Sequence, residues 1–261
     1  MLIFALAQRN GVTQPHASVA ALRAAHAITD LQSFLDIYYA DASVLLHEAD
    51  FFDMAYTYSE RAAADGVLHA ELFFDPQTHT ERGVDIGVVI EGLHRACRQA
   101  KAELGLDASL ILCFLRHLSE DAALATLAAA LPWRDQFIGV GLDSSERGHP
   151  PEKFARVFAQ TRALGLHCAA HAGEEGPPAY IDSALEVLQV EPIDHGVRCV
   201  ESPALVARLA RAHAAHRLPA VQHRAMCVHD PGRAQLAGAA GRRPVRHRQQ
   251  RRSGLLWRLR Q

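Results

Sequence analysis

Residues 167–199 read HCAAHAGEEGPPAYIDSALEVLQVEPIDHGVRC. The stretch opens on a short apolar run, HCAAHAG (167–173), consistent with a buried strand. A Gly- and Pro-rich loop follows, then YIDSALEVL (180–188) with helical spacing, then a second strand pattern, IDHGVRC (193–199). Each strand ends in groups that can do chemistry: His171 and Glu174 after the first, Asp194 and His195 in the second. The alternation extends in both directions. VLHAELFF (67–74), SLILCFL (109–115) and FIGVGL (137–142) read as strands. Residues 85–104, 120–131, 151–164 and 202–213 read as helices. Ser119 and Ser202 are N-cap candidates, and Gly105 and Gly165 stand just past helix ends. Successive strand–helix units at this spacing predict a parallel sheet with helices outside it.

A closed (β/α)8 barrel and an open doubly wound sheet both satisfy that pattern. The strand ends favour the barrel. Asp75, Arg116-His117, Asp143, His171/Glu174 and Asp194-His195 all follow or close strands, and only a barrel gathers so many strand tips at one mouth. No GxGxxG follows a strand, so a dinucleotide fold has little support. Residues 1–65 carry helical periodicity only.

Composition narrows the class. The chain has 261 residues, 49% hydrophobic and 21% charged, with a net charge of −2. Length and composition suit one barrel-sized core, and the charge gives no reason to expect nucleic acid or an anionic membrane as partner. The five cysteines (Cys97, Cys113, Cys168, Cys199, Cys227) form no CxxC pair, which fits reduced thiols and a cytoplasmic protein. MLIFALAQRN (1–10) lacks a basic leader and a cleavage site, so it reads as a first helix.

His171 and Glu174 pair a metal-ligating residue type with a carboxylate able to carry protons. An isolated histidine at a barrel rim is more often only hydrogen-bonded, but His195 on the neighbouring strand end shifts the balance. Asp143 and Asp194 add carboxylates at that level, and Asp143 is the candidate for binding the substrate. His117 is within reach, whereas His149 precedes a proline and reads as a loop residue. Glu71 reads as a structural carboxylate, and Phe73, Phe74 and the cysteines as core.

HAGEEGPP (171–178), IDHGVRC (193–199), ELFFDPQTHTERG (71–83), LCFLRHLSE (112–120) and GLDSSERGHPP (141–151) together resemble the adenosine/adenine deaminase family, over roughly residues 2–218. Asp194 before His195, with FFDPQTHT and DSSE, resembles the bacterial adenine deaminase subgroup. The resemblance implies an α/β fold, an incomplete (β/α)8 TIM barrel with the second to sixth strands recognisable. It implies zinc as cofactor, a small purine as substrate, and deamination of adenine to hypoxanthine and ammonia. His171 would be a zinc ligand, Glu174 would give a proton to the purine N1, and His195 would polarise the attacking water. The unrelated base-deaminase class with a PCxxC signature is excluded, since that motif is absent.

The family pattern also has an HxH on its first strand and an SDDP on its last, and neither occurs in this sequence. Three of the four expected zinc ligands are therefore missing, and weak or absent turnover is expected. Residues 219–261 read as a second, aberrant segment: 231–261 hold nine Arg and no Lys, Asp or Glu. The codons that QQRRSGLLWRLRQ (249–261) permits are compatible, one base out of frame, with NSDDPAYFGGYV. A disordered, out-of-frame tail is the expectation, ahead of a basic RNA-binding arm. Two rival functions remain: adenosine deamination, and a non-catalytic remnant or subunit completed by a partner.

Overall fold

The computed structural model describes residues 2–16, 18–25 and 30–215. The segment 219–261, expected to be aberrant, and Cys227 lie outside the described residues.

Four helices precede the first strand, as the periodicity predicts: α1 (Leu2–Asn10), α2 (Val19–Ala25), α3 (Leu31–Ala42) and α4 (Glu48–Ala64). Asp30 caps α3 by accepting the Ser33 N–H at 2.8 Å. Asp50, fully buried in the first turn of α4, accepts the N–H groups of Leu46 and His47 at 2.9 and 2.8 Å. It also pairs with Arg9 and accepts from Asn10 at 2.7 Å, so one carboxylate ties α1 to the start of α4.

Among the described residues the strands are β1 (His69–Phe74), β2 (Asp107–Leu115), β3 (Gly139–Asp143), β4 (His167–Cys168), β5 (Ala170–Ala172) and β6 (Ile193–His195). Every pairing is parallel, in the orders β1-β2-β3-β4 and β5-β6. β4 and β5 are one passage of chain that changes partner at Ala169. The Ala169 N–H still donates to the Val140 carbonyl of β3 at 2.8 Å, while Ala170–Ala172 pair with Ile193–His195. The result is an arc of a TIM-type barrel, built from the five strand passages the sequence predicts.

Helices α5 (Gln77–Thr80), α6 (Ile86–Leu104), α7 (Glu120–Ala130), α8 (Ala155–Ala163), α9 (Pro178–Ser183) and α10 (Pro203–Ala215) separate or follow the strands. α6 buries Ile86, Val89, Ile90, Leu93, Ala96, Cys97 and Ala100, the helical stripe visible in the sequence, and ends at Gly105 with φ +68°. Strand residues alternate between layers. Leu72, Phe74, Leu110, Leu112 and Phe114 join the main core with the helices, whereas Phe73, Ile111, Cys113 and Ala169 form a separate buried cluster.

Boundaries differ where backbone geometry intervenes. β6 stops at His195 instead of running to 199, because His195 and Gly196 take φ +66° and +62° and the chain enters a 3-10 turn, Val197–Glu201. The helix expected from 151 starts as a 3-10 turn, Pro151–Phe154. The helix after the HAGEEG loop begins at Pro178 and finishes in a π turn, Ala184–Leu188, ended by Gln189 at φ +53°. No helix of the described residues is long and apolar enough to cross a membrane.

Gly92 marks the closest approach of α6 to α4. A Cβ there would strike the Glu48 carbonyl oxygen and sit 2.9 Å from Phe51 Cβ. Helix propensity favours alanine by about 1 kcal/mol. Overpacking against a fixed carbonyl costs about 1–3 kcal/mol. Gly92→Ala is therefore expected to lower stability in urea unfolding despite the better helix former, and a gain would contradict this packing.

Candidate active site

Parallel pairing puts the C-terminal tips of all the strands at one end. His171 lies in β5 directly across from Asp194 in β6, with Ala172 across from His195. The two imidazoles meet: His195 Nε2 is 2.7 Å from His171 Nδ1. The same His195 nitrogen is 3.2 Å from Glu174 Oε2. Glu174 and His195 are 6% and 7% exposed. Their ligand-capable atoms and those of His171 lie within 4.8 Å of one another, the one such group able to hold a metal among the described residues.

Each member is held locally. The edge of the Phe73 ring packs on His171, with centroids 5.2 Å apart. Burial lowers the His171 pKa, with Asp194 and Glu146 opposing in part, so the ring is held neutral. His171 Nε2 is buried without a hydrogen bond, its nearest carboxylate oxygen being Asp194 Oδ2 at 3.6 Å. His195 sits at φ +66°, a conformation that costs a non-glycine residue roughly 1–3 kcal/mol. The Asp194 carboxylate accepts the His195 N–H at 3.0 Å.

The loop carrying Glu174 is gripped from outside. One Glu146 oxygen accepts the N–H of Gly173 at 2.9 Å. The other accepts those of Glu174 and Glu175 at 3.1 and 2.9 Å, and that of Gly176. Glu146 and its partner Arg116 are both 0% exposed, 3.4 Å apart. Arg116, at the tip of β2, also donates to the His171 carbonyl at 2.8 Å and the His149 carbonyl at 2.9 Å.

Beside this cluster lies an acidic wall. Burial, then the charges of Asp143, Asp75 and Asp194, raise the Cys113 thiol well above its usual pKa. The Tyr38 hydroxyl donates to Asp75 Oδ1 at 3.2 Å, and Thr78 holds the other Asp75 oxygen. Burial pushes Asp75 up to about 6. Asp143, buried and beside Asp75, is raised well above the carboxylate range, and its Oδ1 has no hydrogen-bond partner among the described residues. From α3, Tyr39 donates to Ser144 Oγ at 3.1 Å, where His117 Nδ1 also binds at 3.0 Å.

The structure thus brings together His171, Glu174 and His195, with Asp194 adjoining. His117 is engaged with Ser144, and His149 bonds through its backbone, its carbonyl to Arg116 and its N–H to the Glu146 carbonyl, so neither joins the cluster. Glu71 is 3.8 Å from His69, apart from the cluster. Sequence reading missed the roles of Glu146, Arg116, Tyr38 and Tyr39. The signal for the first pair was a charged residue inside each of two motif segments, LRHLSE and DSSERG.

The adenosine deaminase family model matches residues 1–218. The chain belongs to the adenosine deaminase family. It is 64% identical over 227 residues to an adenine deaminase of Cupriavidus metallidurans, covering 87% of this chain and 64% of that protein. It is 68% identical over 214 residues to an adenine deaminase of Cupriavidus necator, covering 82% and 61%. Among solved structures, an adenine deaminase from Arthrobacter aurescens superposes with a TM-score of 0.79 at 50% identity, covering 80% of this chain and 64% of that one. An amidohydrolase from Burkholderia ambifaria with bound Zn gives a TM-score of 0.73 at 32% identity, covering 80% and 58%. The chain spans about three fifths of the length of these relatives and solved structures.

The Asp75 carboxyl offers a direct check on the mouth. In the folded protein it keeps its proton at pH values where the unfolded chain, at 3.8, has released it. Its contribution to stability is therefore full below that value and falls as pH rises through about 6. Carbon-13 NMR of the Asp75 carboxyl should show a midpoint near 6, and Asp75→Asn should remove this pH slope from the unfolding free energy. A midpoint near 3.8 would contradict the buried placement.

Proposed function

We propose that this site serves the hydrolytic deamination of adenine to hypoxanthine and ammonia. The observation that carries the reading is the contact chain His171–His195–Glu174, two imidazoles and one carboxyl on adjacent strand tips. Relatives at 64% and 68% identity named adenine deaminase support the choice of substrate. The four described cysteines are free and buried, which supports a reducing, cytoplasmic setting.

His171 fits zinc: it is neutral by burial, and its buried Nε2 has no hydrogen bond. A bound zinc ion would supply Lewis acidity that lowers the pKa of water. The chain's own groups do the rest. Glu174 holds a proton and gives it to N1 of the ring, which makes C6 electrophilic. His195, 3.2 Å from Glu174, orients water toward C6 and takes up its proton. His195 then passes that proton to the amino group, the C6–N bond breaks with release of ammonia, and the remaining hydroxyl proton returns to Glu174 as the C6 carbonyl forms. Asp143, with Oδ1 unpartnered among the described residues, contributes a contact to the base.

A zinc site needs about three protein donors with good geometry. The cluster commits His195 to a hydrogen bond with His171 and leaves Glu174 to proton transfer. The chain alone is therefore expected to turn adenine over weakly. The test is a chimaera in which residues 2–215 replace the matching part of the Cupriavidus metallidurans relative. It is expected to deaminate adenine in preference to adenosine, and Glu174→Gln to reduce kcat by roughly 100-fold to 10,000-fold. Preference for adenosine would overturn the substrate. An unaffected Glu174→Gln would overturn the proton donor.

A further inference from the structure

We propose that Glu146 is a positioning residue, an internal anion that fixes the Glu174 carboxyl relative to the His171–His195 pair. The inference rests on Glu174 being the proton donor. The four successive N–H groups of 173–176 converge on one carboxylate, which is how proteins build anion cradles. Here the cradle is filled by the chain's own side chain, from a loop 27–30 residues away.

The backbone is shaped for that occupant. Gly173 has φ +70°, and a Cβ there would sit 2.8 Å from Ile181 Cγ1. A Cβ on Gly176 would sit 2.8 Å from Glu146 Oε2, so only glycine lets the carboxylate reach that N–H. The grip is reciprocal. Glu175 Oε1 accepts from Ser145 Oγ at 2.8 Å and from the Glu146 N–H at 3.2 Å, and its other oxygen pairs with Arg147 at 3.1 Å.

What sets Glu146 apart from Glu175 is where its contacts fall. It binds the Glu174 N–H itself, and Arg116, its ion-pair partner, binds the His171 carbonyl at 2.8 Å. One buried pair therefore holds the backbones of the proton donor and of its neighbouring imidazole in one frame. Misplacement of such groups by about 1 Å costs on the order of 100-fold in rate.

The experiment uses the 261-residue chain, free of metal, and needs no turnover. In the unmodified protein, NMR hydrogen exchange should show the Gly173–Gly176 amides protected on the scale of the β2 and β3 amides. Exchange as fast as that of Arg147 and Gly148 would overturn the clamp. Glu146→Gln should strip protection from these four amides, keep it in β2 and β3, and shift the imidazole nitrogen-15 signals of His171 and His195. Glu175→Gln loosens the same two loops without releasing the Glu174 N–H, and should leave those imidazole signals in place. If Glu146→Gln does not fold, Glu146→Asp keeps the charge against Arg116 and is read in the same way. Unmoved imidazole signals in the Glu146 variant, or equal shifts in both, would make the clamp merely structural and overturn the proposal. Failure of the adenine assay leaves these readouts intact, so the two failures are distinguishable.

Discussion

The ion pair of Arg116 and Glu146, with both side chains fully buried, is the constraint on which the mouth of this barrel depends. Three neighbouring strand passages meet there: Arg116 at the tip of β2, Glu146 in the loop after β3, and the Gly173–Gly176 loop after β5. Burying two charges carries a desolvation cost that excellent geometry and further hydrogen bonds must offset. Here the carboxylate takes four backbone N–H groups, and the guanidinium takes two carbonyls besides. Such a pair contributes little net stability compared with an apolar replacement, but removal of one partner strands the other. Its value lies in geometry.

That geometry lets a short contact chain form. β5 and β6 need only three residues each to set His171 and His195 side by side. The positive φ of His195 and Gly196 ends β6 abruptly and turns the chain away from the mouth. Strain at that point is affordable because Asp194 takes the His195 N–H and Phe73 backs the facing imidazole. Asp75 and Asp143, both buried, then give the mouth two carboxyls that hold protons more tightly than ordinary carboxylates.

Much of this was legible in the sequence. Helical stripes, Ser and Gly caps and apolar runs report local burial, and they located each strand passage of the described residues and the polar group at its tip. The family motifs named His171, Glu174 and His195 as partners, and the structure does bring them together. Three things were not legible. The change of partner at Ala169 lies inside a uniformly small, apolar run, so no residue marks it. The Arg116–Glu146 pair spans 30 positions, and nothing in a charged residue's neighbours says which distant loop it will grip. Tyr38 and Tyr39 sit in an amphipathic helix that reads as packing alone, while their hydroxyls meet Asp75 and Ser144 across the mouth.

Under the proposed function, a complete barrel carrying these strand tips converts adenine to hypoxanthine with water as the nucleophile. Incubation of adenine in oxygen-18 water with the barrel carrying residues 2–215 of this chain tests it most directly. The account predicts one oxygen-18 atom in hypoxanthine, on C6, with one ammonia released for each. Hypoxanthine without the label, or labelled product formed equally well after Glu174→Gln, would contradict it.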